Sequence, residues 1–171
     1  MRHISRSCPV LRAITTLEGP DAIMETRFTI LADAPALYKA LGAVTAALGA
    51  SALPAGLKHL IDLRVSQING CVFCIGKHSD EALRDGDRAD RVAALPNWAD
   101  SCLFTPDERA ALAWAEALTR SESGRVDDLL PELGRHFSRE QIAALTMAVA
   151  TINAWNRVGI AQFREAVPAA A

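Results

Sequence analysis

The chain has no block of like charge, no long apolar run and no second pair of closely spaced metal-binding residues, and each absence removes a class of function. Lys plus Arg number 18 against 20 Asp plus Glu, scattered along 171 residues, which argues against nucleic acid or an anionic membrane as a partner. No window reaches the roughly eighteen uninterrupted apolar residues of a membrane-spanning helix. Four cysteines in a chain of this size do not form the dense framework of a small secreted domain and fit a reducing, cytoplasmic setting. A structural zinc site needs four ligands, but Cys102 is isolated and neither His59 nor His136 has a ligand neighbour in sequence, so no metal is expected. No internal repeat is visible, and Ala169 to Ala171 is the one low-complexity stretch.

What is present is a chain that is 50% hydrophobic and long enough to bury one core. Period-two alternation is lacking and helix signals recur, so the expected fold class is all-α, a single-domain bundle of about six to seven helices. A first helix runs from Asp33-Ala-Pro to about Leu48, a second from Pro54 to Asn69, and a third from the cysteines to Gly86. A short helix follows over Asp87 to Leu95, then the breaker-rich loop Pro96-Asn97-Trp98. Thr105-Pro106-Asp107-Glu108 and Ser138-Arg139-Glu140-Gln141 both read as capping boxes, opening helices that run to about Arg120 and along Ile142, Leu145, Val149, Ile152, Ile160 and Phe163. Between them a weaker helix is expected from Asp127 or Asp128 to Phe137, interrupted by Pro131. Residues 1–23 are basic at first but lack a signal-peptide apolar run, because Arg12 breaks it; they read as a loose extension or a mis-assigned start ahead of Met24. Residues 24–165 form the expected domain, and 166–171 a flexible tail.

The chemistry is concentrated in Cys71-Val72-Phe73-Cys74 with His78 four residues on. Offsets of three and four keep these side chains on one helical surface, and Asn69-Gly70 marks where one helix ends and another begins. At a helix start, free backbone N–H groups and the dipole favour an anion and lower a thiol pKa from about 8.5 towards roughly 3.5 to 7.5. On this argument Cys71, nearer the dipole and more exposed, is the attacking thiolate for disulfides, whereas His78 one turn beyond Cys74 favours Cys74 for peroxide. Both hold if Cys74 forms a sulfenic acid, Cys71 condenses with it, and the reductant then reaches Cys71. Asn156 falls on the apolar stripe of the last helix; its amide either fixes a loop near the cysteines or joins two helices without a part in the chemistry. Cys102 reads as a small apolar filler, His136 as a helix-end or surface residue, and Trp98, Trp114 and Trp155 as core and subunit-contact residues.

Four blocks of the chain, from Leu63 through Cys74 to His78, Leu95 to Trp98, Phe104 to Glu116 and Thr151 to Arg157, stand in the order seen in a known family. Over about Met24 to Phe163 the sequence resembles the AhpD-like alkylhydroperoxidases of the carboxymuconolactone decarboxylase superfamily. The resemblance implies an AhpD-like all-helical bundle, peroxidase chemistry without cofactor or metal, and assembly as a homo-oligomer, a trimer or hexamer. It also implies Cys74 as the peroxide-attacking thiol, Cys71 as the resolving thiol and His78 as part of a proton relay. The family places a Glu twelve residues before the first cysteine, where this chain has His59; a neutral imidazole can serve as base there and a protonated one can stabilise thiolate. Asp62, one turn after His59, either orients it, takes over the carboxylate role or is a solvated surface residue. Phe73 stands where some relatives carry a second His. The expected activity is a thiol-dependent peroxidase or disulfide reductase, its partners a small hydroperoxide and a thiol or dithiol reductant protein. The other readings are a redox-sensing assembly module and a non-redox decarboxylase or isomerase.

Overall fold

A computed structural model describes residues 24–165; the expectations for 1–23 and for 166–171 lie outside the described residues. The described chain is helical apart from one pair of short strands, in the order β1 (Met24–Thr26), α1 (Ile30–Asp33), α2 (Pro35–Gly49), α3 (Ala55–Asn69), α4 (Val72–Arg84), α5 (Ala89–Ala94), a 3-10 turn (Leu95–Asp100), α6 (Pro106–Thr119), α7 (Ser123–His136), α8 (Arg139–Gln162) and β2 (Phe163–Glu165). The all-α expectation is met, with eight α-helices among the described residues, one of them a single turn.

At the centre lies α3. Leu60, Ile61, Asp62 and Leu63 are consecutive and all buried, a pattern possible only for a helix covered on most sides, and α3 packs against α4, α6 and α8. The core built on it draws Leu57, Val65, Leu95, Leu112, Leu145 and Val149 from four different elements, which is the hydrophobic burial that holds the bundle.

The helix starts follow local chemistry. Thr105 and Glu108 exchange side-chain-to-backbone hydrogen bonds at the start of α6, and Ser138 and Gln141 do the same for α8, each such cap being worth about 1 kcal/mol. Two expectations need correction. Helix α7 starts at Ser123, four residues earlier than the Asp127 signal, and carries Pro131 inside it; Leu133, buried against the core, pins the helix on the far side of the proline, and this packing outweighs the local penalty. The stripe of α8 also ends sooner than the sequence suggests, for Ile160 is exposed and Phe163 has left the helix to begin β2. There Thr26 pairs antiparallel with Phe163 and Met24 with Glu165, strands too short for period-two patterning to reveal.

Candidate active site

The site grows out of the α3–α4 junction. Gly70 takes a left-handed conformation (φ 67°) that non-glycine residues resist, and the N–H groups of Cys71 and Gly70 return to the carbonyls of Ser66 and Gln67, closing α3 in a Schellman arrangement. Cys71 is thereby placed as the N-cap of α4, its sulfur accepting from the Cys74 N–H at 3.4 Å. Cys71 and Cys74, 5.2 Å apart at Cα, are joined by a disulfide.

The turn before the cysteines is fastened by the buried amide of Asn156. Asn69 Nδ2 donates to Asn156 Oδ1 (2.8 Å), Asn156 Nδ2 donates to Ser66 Oγ (2.9 Å), and Ser66 Oγ donates to the Asp62 carbonyl (2.7 Å). Asn156 is fully buried, and it fixes the end of α3 one residue short of Gly70.

Both sulfurs are covered. Cys71 is 2% exposed and Cys74 4%, and of the two only Cys74 lines a cavity of about 550 Å³ enclosed by α2, α3, α4 and α8. The expectation that Cys71 is the more exposed thiol is therefore corrected: α8 passes so close that a Cβ on Gly159 would sit 2.8 Å from Cys71 Sγ and 3.0 Å from Cys74 Sγ. Gly159 is a site residue that sequence reasoning missed, since nothing local to a helix records what packs against it.

His78 is buried and lines the same cavity. Its Nδ1 lies 2.8 Å from Glu81 Oε2; because a carboxylate only accepts, Nδ1 carries the proton and Nε2 keeps its lone pair. Burial pushes the imidazole below its ordinary pKa, outweighing the opposing pull of Asp62 and Glu81, and Lys77 adds to the lowering. Glu81 is itself opposed by burial, but hydrogen bonds from Lys77 and His78 win and hold its carboxyl below the usual range. The result is a neutral, oriented imidazole beside an ionised carboxylate. The i+3 spacing of Glu81 from His78 was the signal that could have disclosed this partner.

His59 lines the cavity as well, with Nε2 2.7 Å from Asp85 Oδ2. Its partner is thus Asp85 at the end of α4, and Asp62 does not orient it. Asp62 is neither solvated nor idle: it is 4% exposed, lines the cavity and accepts an ion pair from Lys58 at 2.5 Å. The buried Nδ1 of His59 has no hydrogen-bond partner among the described residues. The cavity is also lined by Tyr38, Trp155, Phe73 and Phe163, with Trp155 Nε1 donating to Thr45 Oγ1 and its ring edge-on to Tyr38.

Other sequence candidates lie elsewhere. Cys102 is exposed rather than an apolar filler and does not line the cavity. His136 ends α7, exposed and 3.2 Å from Glu132. Trp98 and Trp114 are core residues, and Trp98 Nε1 donates to buried Glu116, which also pairs with Arg64. Among the described residues no helix is long and apolar enough to cross a membrane.

Comparison with known proteins bears on this arrangement. The model of the carboxymuconolactone decarboxylase family matches residues 32–117. The uncharacterized protein YdfG of Bacillus subtilis is 39% identical over 105 residues, 61% of this chain and 71% of its own length. The solved structure of the Agrobacterium tumefaciens protein ATU0492, of unknown function and named as a candidate antioxidant defence protein AhpD, superposes with a TM-score of 0.76 at 37% identity, covering 80% of this chain and 94% of that one. The debrominase Bmp8 superposes with a TM-score of 0.70 at 28% identity over 77% of this chain and 71% of its own. This chain belongs to the carboxymuconolactone decarboxylase family, as an AhpD-like member of that superfamily.

Proposed function

We propose that the protein is a thiol-dependent peroxidase of AhpD type, in which the reduced Cys71/Cys74 pair is the electron source and a small hydroperoxide the acceptor. The observation that carries this reading is the Cys71–Cys74 disulfide with only Cys74 on a cavity shared with an oriented, neutral His78. In the reduced protein, His78 Nε2 accepts the Cys74 proton directly or through water, and the start of α4 steadies the thiolate. The Cys74 sulfur attacks one peroxide oxygen, the O–O bond breaks, and the alkoxide leaves as alcohol with the proton that His78 took. Cys74 is then a sulfenic acid. Cys71 condenses with it, releasing water and forming the disulfide. A thiol or dithiol reductant protein restores the pair by exchange, and the same route serves if the physiological oxidant is a disulfide. No cofactor is needed.

His59 completes the relay in this reading, with Asp85 as the residue that positions it. Holding Nε2–H on Asp85 leaves Nδ1 as the imidazole's acceptor. The family resemblance supports assembly into a homo-oligomer, a trimer or hexamer, and exposed Phe28, Leu31 and Leu37 around α1 and α2 are apolar surface available to it.

The likeness to a debrominase supports a second reading, reductive dehalogenation. There the same dithiol would supply two electrons, turning an organic bromide into the hydrogen-substituted product and HBr as the disulfide forms. Free-thiol titration before and after a stoichiometric pulse of organic hydroperoxide, on wild type, Cys71→Ser and Cys74→Ser, separates the readings. Loss of two thiols within seconds in wild type, an inert Cys74→Ser and a Cys71→Ser trapped as sulfenic acid are expected. Peroxide-dependent loss no faster than at an ordinary exposed thiol refutes the peroxidase, and bromide release from a bromoarene then tests the second reading. Slow closure without turnover in either assay would indicate a redox sensor.

A further inference from the structure

Phe73 lies between the two cysteines and is 39% exposed. Its ring stacks on Phe163 with centroids 4.3 Å apart and planes 28° from parallel. Both rings line the cavity that Cys74 enters. Phe163 does not owe this place to α8, because the helix ends at Gln162 and the chain turns extended at Phe163 (φ −113°, ψ 153°). What holds it is the N-terminal strand. Thr26 pairs with Phe163, and the Arg27 N–H donates to the Gln162 carbonyl at 2.8 Å. The Arg27 guanidinium donates to three carbonyls at the end of α8, those of Ile160 (2.8 Å), Ala161 (3.3 Å) and Phe163 (2.6 Å). A fixed cation on the free carbonyls of a helix C-terminus is favourable both as hydrogen bonding and against the dipole. Gln162, which also lines the cavity, is fixed in turn by the Ile30 N–H at 3.0 Å.

We propose that the stacked rings of Phe73 and Phe163 are the substrate-selecting wall of the site, receiving the aromatic or bulky apolar group of an organic substrate whose reacting end lies at Cys74, and that Arg27 is the positioning residue that keeps Phe163 there. The proposal rests on the peroxidase reading only for the identity of the reacting end. A hydrogen peroxide molecule has no group to place on the rings. An arylalkyl hydroperoxide does, and the part of a substrate remote from the reaction is what a wall of this kind discriminates. Because the wall includes Phe73, in the first turn of α4 between the two cysteines, the group it holds is placed next to the reacting sulfur.

Two measurements test this, one independent of turnover. In the first, binding of 2-phenyl-2-propanol, the alcohol that cumene hydroperoxide would yield, is followed by calorimetry on the disulfide form of wild type, Phe163→Ala and Phe163→Leu. Affinity should fall at least about tenfold in Phe163→Ala and less in Phe163→Leu, which keeps apolar bulk without a ring; circular dichroism confirms that both variants fold. Equal affinity in wild type and Phe163→Ala, or no binding to wild type, overturns the proposal. In the second, the ratio of kcat/KM for cumene hydroperoxide to that for hydrogen peroxide is compared. The ratio should drop in Phe163→Ala, through KM, and drop in the same direction in Arg27→Gln with partial recovery in Arg27→Lys. A proportional loss on both peroxides would mean that Arg27 and Phe163 only stabilise the fold, and would overturn the proposal while leaving the peroxidase reading intact. Selective loss of alcohol binding in a protein that turns over no peroxide supports the wall and removes the peroxidase reading.

Discussion

Replacing Gly159 by alanine adds one methyl group where the helix passes the redox pair, and its effect can be worked from two distances. The new Cβ would meet Cys71 Sγ at 2.8 Å and Cys74 Sγ at 3.0 Å, well inside the separation of about 3.5 to 4.0 Å at which non-bonded heavy atoms attract. Inserting a methyl into a packed site of this kind costs about 1–3 kcal/mol. In the disulfide the two sulfurs are bonded and cannot move apart to relieve the clash. In the dithiol either side chain can rotate away. The cost therefore falls on the oxidised form, and at 1.4 kcal/mol per 30 mV the reduction potential should rise by about 20 to 60 mV. The helix preference for Ala over Gly, about 1 kcal/mol, favours both redox states equally and cancels in the potential. It does not cancel in stability: the reduced variant should melt at or above wild type, while the oxidised variant should melt at or below it. Equilibration against glutathione buffers, read by alkylation and mass, gives the potential directly. A potential that is unchanged or more negative would refute the claim that α8 presses on both sulfurs.

Three further outcomes follow from the site. Because the native pKa of His78 is depressed by burial, below an ordinary imidazole value of about 6.5 the unfolded chain binds a proton that the folded one resists. Its contribution to stability is full above that pH and lost as pH falls through the lower native value, so urea midpoints should decline from pH 7 to 5 and His78→Gln should flatten the decline. Glu81, held below the usual carboxylate value, loses its contribution lower still, below about pH 4.3. Glu81→Gln removes a charge that raises the His78 pKa, so the imidazole titration followed by NMR should move further down; an upward shift would contradict the assigned pairing. Asn156→Ala takes from buried Ser66 the donor to its Oγ and leaves Asn69 only Asn153 as a side-chain acceptor, and a loss of about 2 kcal/mol in urea denaturation is expected, with Asn156→Asp no substitute because a carboxylate cannot donate to Ser66 Oγ.

The sequence by itself determined the helical class, the breaks between helices and the location of the redox chemistry, because these rest on local rules. Capping boxes at Thr105 and Ser138, the Gly70 stop and the CxxC with His78 all act within one or two turns of chain, so their meaning can be read without knowing what packs where. The i+3 carboxylate of Glu81 obeyed the same rule and was legible. Tertiary structure decided the rest. The close passage of α8 over both sulfurs depends on Gly159, distant in sequence and identifiable only in the folded chain. His59 takes Asp85 instead of the nearer Asp62 because α3 and α4 fold back on each other, bringing the end of α4 to the start of α3, while Asp62 turns to Lys58. The clasp of Met24–Thr26 on Phe163–Glu165 joins the two ends of the described chain, and no local periodicity encodes a pairing between three-residue strands. Burial then sets the proton affinity of His78, which depends on the number of protein atoms around the ring, a quantity that the linear order of residues does not contain.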